Sequence, residues 1–151
     1  MSKNCTLHLF GSNSNALALK DESDVDLMLY VAEHDQFDTL SHEHRIYHNG
    51  LSSNVIMDIA RILRRKHYPN VQPVPRARIP IVKFSSQDQS LIADISVNNF
   101  LPLYNSHLLK LYSEADERVK QLIYMIKYWV KRRRIGDAYS GTMHSYAYCL
   151  M

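Results

Sequence analysis

The fold of this chain is decided by the stretch Leu9-Phe10-Gly11-Ser12 and, after eleven further residues, Asp24-Val25-Asp26. Side chains alternate between the two faces of a strand, so Asp24 and Asp26 point the same way while Val25 faces the other side. Two carboxylates on one face repel each other unless a cation lies between them. Mg²⁺ and Mn²⁺ take such oxygen ligands together with substrate phosphates. The stretch therefore predicts a site for a metal-bound nucleoside triphosphate.

The Gly11-Ser12 turn supplies the second half of this predicted site. Glycine lets a backbone approach phosphate oxygens closely, and the N–H groups of a turn that leads into a helix attract anions. Ser12 adds a hydroxyl donor. A surface turn followed by a solvated acidic strand end is the alternative, because each motif alone is short. The ordered combination of strand, Gly-Ser turn, short helix and Asp-x-Asp strand is much more specific.

Composition restricts the class of protein. The chain has 151 residues, 46% hydrophobic and 22% charged, which fits one globular domain or one domain plus part of another. No apolar run approaches the ~20 residues of a membrane span, and no signal-peptide pattern is present. The two cysteines lack metal-ligand spacing and indicate reduced thiols in an intracellular protein. The net charge is only +3, yet basic residues cluster at 61–66 and 131–134, which suits a polyanionic partner.

Periodicity predicts an α/β chain that becomes helical after residue 100. We expect strands at residues 6–10, 25–31, 79–84 and 91–97, and a mostly irregular segment at 34–50. Ser14 is the expected N-cap of a short helix over 15–20. Further helices are expected at 51–67, at 106–112, from an N-cap at Ser113 to about residue 135, and from about residue 142. The long helix carries an apolar stripe made of Val119, Leu122, Ile123, Ile126, Trp129 and Val130.

Asp94 is a lone acid within the apolar run Leu91-Ile92-Ala93-Asp94-Ile95. A carboxylate inside a core strand is costly unless a cation or a hydrogen-bond network accompanies it. An ion pair with an arginine such as Arg78 is the structural alternative. Beside Asp24 and Asp26, a third metal ligand is the preferred interpretation, because three carboxylates on adjacent strands suit two-metal phosphoryl transfer.

The helix beyond residue 116 carries a basic sector and is followed by an aromatic motif. At about 100° per residue one narrow sector beside the apolar stripe contains the side chains of Lys120, Lys127, Lys131 and Arg134. Either this sector is an ordinary solvated face, or its lysines reach a triphosphate. Arg132 and Arg133 point elsewhere, to solvent or to RNA. In Ser145-Tyr146-Ala147-Tyr148, an aromatic ring at a helix start suits stacking on a base, and core packing is the alternative for Tyr148.

Taken together, these residues resemble a known family, the RNA terminal uridylyltransferases and their poly(A) polymerase relatives in the DNA polymerase β-like nucleotidyltransferase superfamily. The resemblance covers nearly the whole chain in the right order. Its matching stretches are Leu9-Phe10-Gly11-Ser12, Ser23-Asp24-Val25-Asp26-Leu27, residues 77–83, residues 94–99, Asn105-Ser106-His107-Leu108-Leu109, Lys127-Tyr128-Trp129-Val130-Lys131 and residues 141–148.

The resemblance implies a role for each matching residue. Catalytic metal-binding acids correspond to Asp24, Asp26 and Asp94, with two Mg²⁺ or Mn²⁺ ions as cofactors. Nucleotide contacts correspond to Gly11 and Ser12 at the phosphates, Asn105 and Ser106 near the ribose, Lys127 and Lys131 at the triphosphate, and Ser145 and Tyr146 at the base. Two positions depart from the family pattern: Ala16 stands where glycine is usual, and His144 where serine is frequent. Neither departure removes a metal ligand.

The resemblance also implies a fold and an activity. The expected α/β (α+β) fold is a nucleotidyltransferase palm over residues 1–99, with a small mixed sheet and flanking helices, followed by the beginning of a helical domain over 100–151. Because the last predicted helix stops after two or three turns, we expect a fragment of a longer protein.

The expected activity is template-independent addition of UMP or AMP, from UTP or ATP, to the 3′ end of RNA. The alternatives are a nucleotidyltransferase with a non-RNA acceptor and an inactive fragment that only binds nucleotide or RNA. We further expect a monomer without a membrane partner, in the cytoplasm, with the nucleus and mitochondrion as open alternatives.

Overall fold

The computed structural model describes residues 5–19, 24–32, 42–137 and 140–151, and these form one five-stranded sheet with helices around it. The strands are β1 (Cys5–Phe10), β2 (Val25–Val31), β3 (Gln72–Val74), β4 (Ile81–Ser85) and β5 (Ile92–Val97). Their order across the sheet is β1-β2-β5-β4-β3. β2 and β5 pair in parallel, whereas the other neighbours are antiparallel. The mixed sheet confirms the predicted fold class.

One face of the sheet is covered by α1 (His42–Arg65). Strand alternation sends Val31, Val82 and Ile95 to this face, where they pack in one core cluster with Ile56 and Ala60 of the helix. Side chains alternate along each strand, so Asp26 of β2, Lys83 of β4 and Asp94 of β5 point to the opposite face. The helix predicted at 51–67 is confirmed, and it begins nine residues earlier than expected.

Three further helices follow the sheet: α2 (Leu101–Ala115), α3 (Glu117–Arg133) and α4 (Ser145–Leu150). They meet the chain after β1 in a second core cluster built on Leu17, Leu109 and Ile123. The prediction of the apolar stripe of α3 is wrong for two of its six residues, since Leu122 and Trp129 are 55% and 50% exposed. At 100° per residue both lie about 100° or more from Ile123, so the helix turns them away from α2.

Three local expectations are wrong. Residues 15–19 are turn and irregular chain, while a 3-10 helix spans Gly11–Asn13 and Ser14 ends it. Ser113 lies inside α2, where its Oγ donates to the Lys110 carbonyl. Asp116 is the actual N-cap of α3, because its backbone is extended and its side chain accepts from the N–H of Arg118.

The short strand β3 was not predicted, since Pro73 within it hides the strand pattern. Proline is compatible with an edge strand, which is the position β3 takes in the sheet. Among the helices of the described ranges, none has the length and apolar character needed to cross a membrane. The division of the chain at residue 99 stays a prediction.

Candidate active site

Three side chains form a row across the sheet on the face opposite α1. The register places Asp26 of β2 opposite Asp94 of β5, and Asp94 opposite Lys83 of β4. Neighbouring strands lie about 4.8 Å apart, so the two carboxylates are neighbours by backbone pairing alone. Lys83 Nζ lies 2.9 Å from Asp94 Oδ2. The ion-pair partner of Asp94 is thus Lys83, not Arg78 as in the structural alternative.

Positive charge compensates the two acids of this row only in part. Oδ1 of Asp94 is buried without a hydrogen-bond partner in the described part of the chain. Burial, followed by the charges of Asp94 and Asp24, raises the pKa of Asp26 from 3.8 to about 6. The Asp94 hydrogen bond is the main cause that raises the pKa of Lys83. Asp94 Oδ1 thus has no partner among the described residues, and the neighbouring Asp26 is surrounded by other negative charges. Such a pair of carboxylates suits a hard divalent cation.

Asp24 lies outside this row, just before β2. It is exposed, and its backbone carbonyl accepts a hydrogen bond of 2.7 Å from Asn13 Nδ2. Its charge still reaches Asp26 and Lys83. Within residues 5–19, 24–32, 42–137 and 140–151, no three carboxylate, imidazole or thiol side chains are arranged to hold a metal ion. The structure therefore brings Asp26 and Asp94 together, and joint metal binding with Asp24 stays a prediction.

Residues 11–17, which we call the glycine turn, pack directly on this acid pair. Gly11 has φ +71°, a left-handed conformation that favours glycine. An ideal Cβ at Gly11 would collide with Oδ2 of Asp26. Ser14 Oγ donates to the Gly11 carbonyl at 2.9 Å, and the N–H of Leu17 donates to the Ser12 carbonyl at 3.1 Å. These two hydrogen bonds close the turn, and Ser12 is one of the residues between its ends.

α2 holds the start of the glycine turn through Ser106. Its Oγ accepts from the N–H of Gly11 at 2.7 Å and donates to the Pro102 carbonyl at 2.6 Å. Ser106 is buried, so the structure shows it tying the helix to the turn. Sequence reasoning missed this tie, because nothing in the local pattern links residues 95 positions apart. The neighbouring Asn105 accepts from the hydroxyl of Tyr146 at 3.3 Å.

α3 holds the far end of the glycine turn and brings a cation toward the acids. The ammonium group of Lys127 donates to the Leu17 carbonyl. Burial is the main cause that lowers the pKa of Lys127, and the Lys131 charge adds to it while the Asp26 charge opposes it. Lys127 is thus close enough to Asp26 to interact with it. Lys131, one helical turn further on, is exposed.

α4 presents the predicted base-contacting residues at its first turn. Ser145 begins the helix, and His144 is its N-cap, with Nδ1 accepting from the N–H of Tyr146 at 3.3 Å. His144 therefore performs the capping that a serine at this position would also perform. Tyr146 packs against the second core cluster while its hydroxyl reaches Asn105. The structure thereby joins two of the predicted nucleotide contacts by one hydrogen bond.

The sequence and the fold match known proteins. Residues 1–114 match the family described as poly(A) RNA polymerase, mitochondrial-like, central palm domain. The chain is 38% identical over 153 residues to human terminal uridylyltransferase 7, covering 96% of this chain and 9% of that protein. It is 35% identical over 156 residues to terminal uridylyltransferase cid1 of Schizosaccharomyces pombe, covering 100% of this chain and 34% of that protein.

Solved structures agree with the sequence matches. Cid1 poly(U) polymerase bound to MgGTP superposes with a TM-score of 0.77 at 32% identity, covering 99% of this chain and 42% of that one. A cytoplasmic RNA terminal U-transferase superposes with a TM-score of 0.72 at 34% identity, covering 99% and 39%. The chain therefore spans well under half the length of these relatives.

The fold and the site define a nucleotidyltransferase palm. The chain belongs to the family of the mitochondrial-like poly(A) RNA polymerase central palm domain. Its relatives include both terminal uridylyltransferases and poly(A) RNA polymerases.

Proposed function

We propose that this chain carries the palm of an RNA nucleotidyltransferase that adds UMP or AMP to RNA 3′ ends without a template. One observation carries the proposal: the parallel pairing of β2 with β5 places Asp26 beside Asp94, whose Oδ1 has no partner among the described residues. From the helical side, the charge of Lys127 acts on Asp26. Family membership and the nucleotide-bound Cid1 structures support the same activity.

Each predicted residue has a role in this proposal. Asp24, Asp26 and Asp94 would hold Mg²⁺ or Mn²⁺, and solved Cid1 structures contain MgATP and MgGTP. Such ions, when bound, lower the pKa of an attacking hydroxyl and stabilise a leaving pyrophosphate. The nucleotide is held by the remaining residues: Gly11, Ser12, Lys127 and Lys131 at the phosphates, Asn105 and Ser106 near the ribose, and Ser145 and Tyr146 at the base.

The reaction in this proposal is a single displacement at phosphorus. The RNA 3′ oxygen forms a bond to the α-phosphorus, the bond from that phosphorus to the bridging oxygen breaks, and pyrophosphate leaves. The hydroxyl proton is released. Lys127 contributes by holding positive charge where pyrophosphate gains negative charge, since a fixed ammonium group beside a developing anion stabilises it without rearrangement. Two acids on a rigid sheet and a lysine on a packed helix keep the reacting groups aligned.

The choice between UTP and ATP stays open within the proposal. The relatives are named for both nucleotides, as terminal uridylyltransferases and as poly(A) RNA polymerases. An RNA acceptor is supported by the exposed arginines near the end of α1 and by the basic last turn of α3. We propose a monomer that acts in the cytoplasm, because a protein of similar structure is a cytoplasmic RNA terminal U-transferase.

Primer extension tests the proposal. A labelled RNA is incubated with each nucleoside triphosphate and Mg²⁺ or Mn²⁺, and a small hydroxylated acceptor is run in parallel. Addition of UMP or AMP to RNA is the expected result, and loss of addition in Asp94→Asn assigns it to this site. Transfer to the small acceptor alone would identify a nucleotidyltransferase with a non-RNA acceptor. Nucleotide binding without transfer would identify a binding-only chain.

A pair of helix variants separates the two substrates. Lys127→Ala should weaken triphosphate binding, because its ammonium group lies at the end of the glycine turn, where it donates to the Leu17 carbonyl. Arg132, which stacks on Tyr128 at 5.0 Å on another side of α3, serves as the comparison. Arg132→Ala should lower RNA affinity in a salt-dependent way and leave triphosphate binding unchanged. If Lys127→Ala loses only RNA binding, α3 belongs to the acceptor side.

A further inference from the structure

The end of the glycine turn has an unusual backbone. Ala16 has φ +56°, the left-handed region, although it carries a side chain. L-residues other than glycine avoid this region because Cβ crowds the following carbonyl oxygen. Glycine is usual here in the family that the sequence resembles. Something other than intrinsic preference must therefore hold Ala16 in place.

Two side chains of α3 bind the backbone at this point. The Tyr124 hydroxyl donates to the Ala16 carbonyl at 2.7 Å, and Lys127 donates to the carbonyl of the next residue, Leu17. The carbonyls of Ala16 and Leu17 can both face α3 only when the peptide group between these two residues has the observed orientation. That orientation depends on the φ of Ala16. The two contacts and the left-handed backbone are thus one arrangement.

The conformation of Ala16 is transmitted to the rest of the glycine turn. Leu17 is fully buried in the second core cluster, and its N–H closes the turn by donating to the Ser12 carbonyl. The same N–H also donates to Oδ1 of Asn15 at 3.2 Å. If Ala16 returned to an ordinary φ, the Leu17 N–H would rotate away from Ser12. The Ser12 carbonyl would then lose this hydrogen bond, and the backbone of Ser12 would no longer be held in its observed conformation.

Lys127 alone is a weak anchor for this arrangement during catalysis. Its ammonium group has three donors and is attracted to any triphosphate that enters the site. The Tyr124 hydroxyl is neutral and lies outside that competition. Its hydrogen bond to the Ala16 carbonyl does not require Lys127 to stay in place.

We propose that Tyr124 is a positioning residue, which holds Ala16 in the left-handed conformation and thereby keeps the glycine turn closed for a nucleoside triphosphate. The identity of the ligand rests on the proposed function. The anchoring of the turn rests only on the contacts of Tyr124, Ala16, Leu17 and Ser12 in this chain.

The test is a double-mutant cycle between Tyr124→Phe and Ala16→Gly. Tyr124→Phe removes only the hydroxyl and should raise the KM for the triphosphate about five-fold, equal to ~1 kcal/mol at 1.4 kcal/mol per tenfold, with a smaller change in kcat. In the Ala16→Gly background the same substitution should raise KM by less than about two-fold, because glycine adopts positive φ without help. Tyr128→Phe, one turn further along α3 and 52% exposed, is the matched control and should change neither constant.

Amide hydrogen exchange provides a readout that needs no nucleotide. The Leu17 amide should exchange several-fold faster in Tyr124→Phe, and this acceleration should be reduced in the Ala16→Gly background. Unchanged Leu17 exchange in Tyr124→Phe would overturn the proposal, and so would an equal KM increase in both backgrounds. If the unmodified chain binds no triphosphate, the proposed function fails, whereas the exchange data still decide the role of Tyr124.

Discussion

The acid pair and the glycine turn lie against each other but are held in place by different means. Asp26 and Asp94 are set side by side by backbone pairing of β2 with β5. The glycine turn is held by side chains from two helices, through contacts between residues 95, 108 and 110 positions apart. Backbone pairing is regular and repeats along a strand, whereas each tie of the turn depends on one side chain.

This difference predicts how each region responds to substitution. Changing a carboxylate should alter charge and chemistry while leaving the sheet intact, because the sheet hydrogen bonds do not involve side chains. Changing a residue of the turn or of its ties should alter local conformation first. Substitutions at Asp94, Gly11, Asp26 and Ala16 distinguish these two responses, and we expect their effects to decrease in that order.

Asp94→Asn should abolish activity without unfolding the sheet. We expect kcat to fall about 10³-fold, since a lost metal ligand removes several kcal/mol of transition-state stabilisation. The thermal midpoint should move by no more than about 4 °C, because the amide oxygen can still accept from Lys83. Primer extension and thermal unfolding are measured together.

The control for this substitution is Asp58→Asn. Asp58 is an exposed acid of α1 whose partner Arg61 lies at 2.7 Å. It should leave activity unchanged. Full activity in Asp94→Asn would remove Asp94 from the catalytic set.

Gly11→Ala should destabilise the glycine turn and displace Asp26. The left-handed φ and the collision with Asp26 Oδ2 act together, and we expect a loss of about 2–4 kcal/mol in the free energy of unfolding. Gly141→Ala is the matched control, because Gly141 has φ +79° but no atom within 4 Å of its ideal Cβ. It should lose only about 1–2 kcal/mol. Equal losses in the two variants would show that the turn does not press on the acid pair.

Asp26→Asn should reveal a pH-dependent strain in the acid pair. The folded pKa of Asp26 lies near 6, above the 3.8 of an unperturbed carboxyl. The folded state therefore binds the proton more tightly, and stability falls as pH rises from about 4 to 6. The full shift corresponds to about 3 kcal/mol, which solvent screening reduces to about 1–2 kcal/mol.

Chemical unfolding in a metal chelator at several pH values tests this expectation. Asp26→Asn should equal the unmodified chain near pH 4 and exceed its stability above pH 6. Adding Mg²⁺ at pH 7 should shrink the difference, because a cation stabilises the charged form. A difference that is independent of pH would show that Asp26 is not penalised by its neighbours.

Ala16→Gly should give the smallest effect and a stabilising one. Relief of the left-handed strain contributes about 1–2 kcal/mol, and the greater freedom of glycine in the unfolded chain offsets about 0.4–1 kcal/mol of that. We expect a net gain of about 0.5–1 kcal/mol in the unfolding free energy, measured by urea titration. A clear loss of stability would mean that the Ala16 methyl group makes contacts that outweigh its strain.

The sequence predicted the acid pair better than the turn. The sequence predicted the strands that carry Asp26 and Asp94, and both strands are present where expected. The resemblance predicted the family, and the match of residues 1–114 to the family of palm domains confirmed it. The strand neighbour of Asp94 was missed, because Lys83 becomes its partner only through the register of β4 with β5.

Local signals also failed where helices pack on one another. Leu122 and Trp129 have the spacing of core residues, yet α3 presents them to solvent because α2 covers only part of its surface. Ser113 has the sequence signature of an N-cap, yet α2 continues through it to Ala115. Propensity and spacing act over a few residues, whereas these outcomes depend on which neighbour a helix meets.

Strand periodicity and motif order are written along the chain, so β1, β2, β4 and β5, the shared face of Asp24 and Asp26 and, through the resemblance, the class of the protein could be predicted from the sequence. What holds the glycine turn is visible in the folded protein alone. Ser106, Tyr124 and Lys127 reach it from helices about a hundred residues away. Hydrogen bonds of this kind require the packing of a shared core to bring a side-chain atom within about 3 Å of a backbone atom on another segment, and no local pattern of residues specifies that distance.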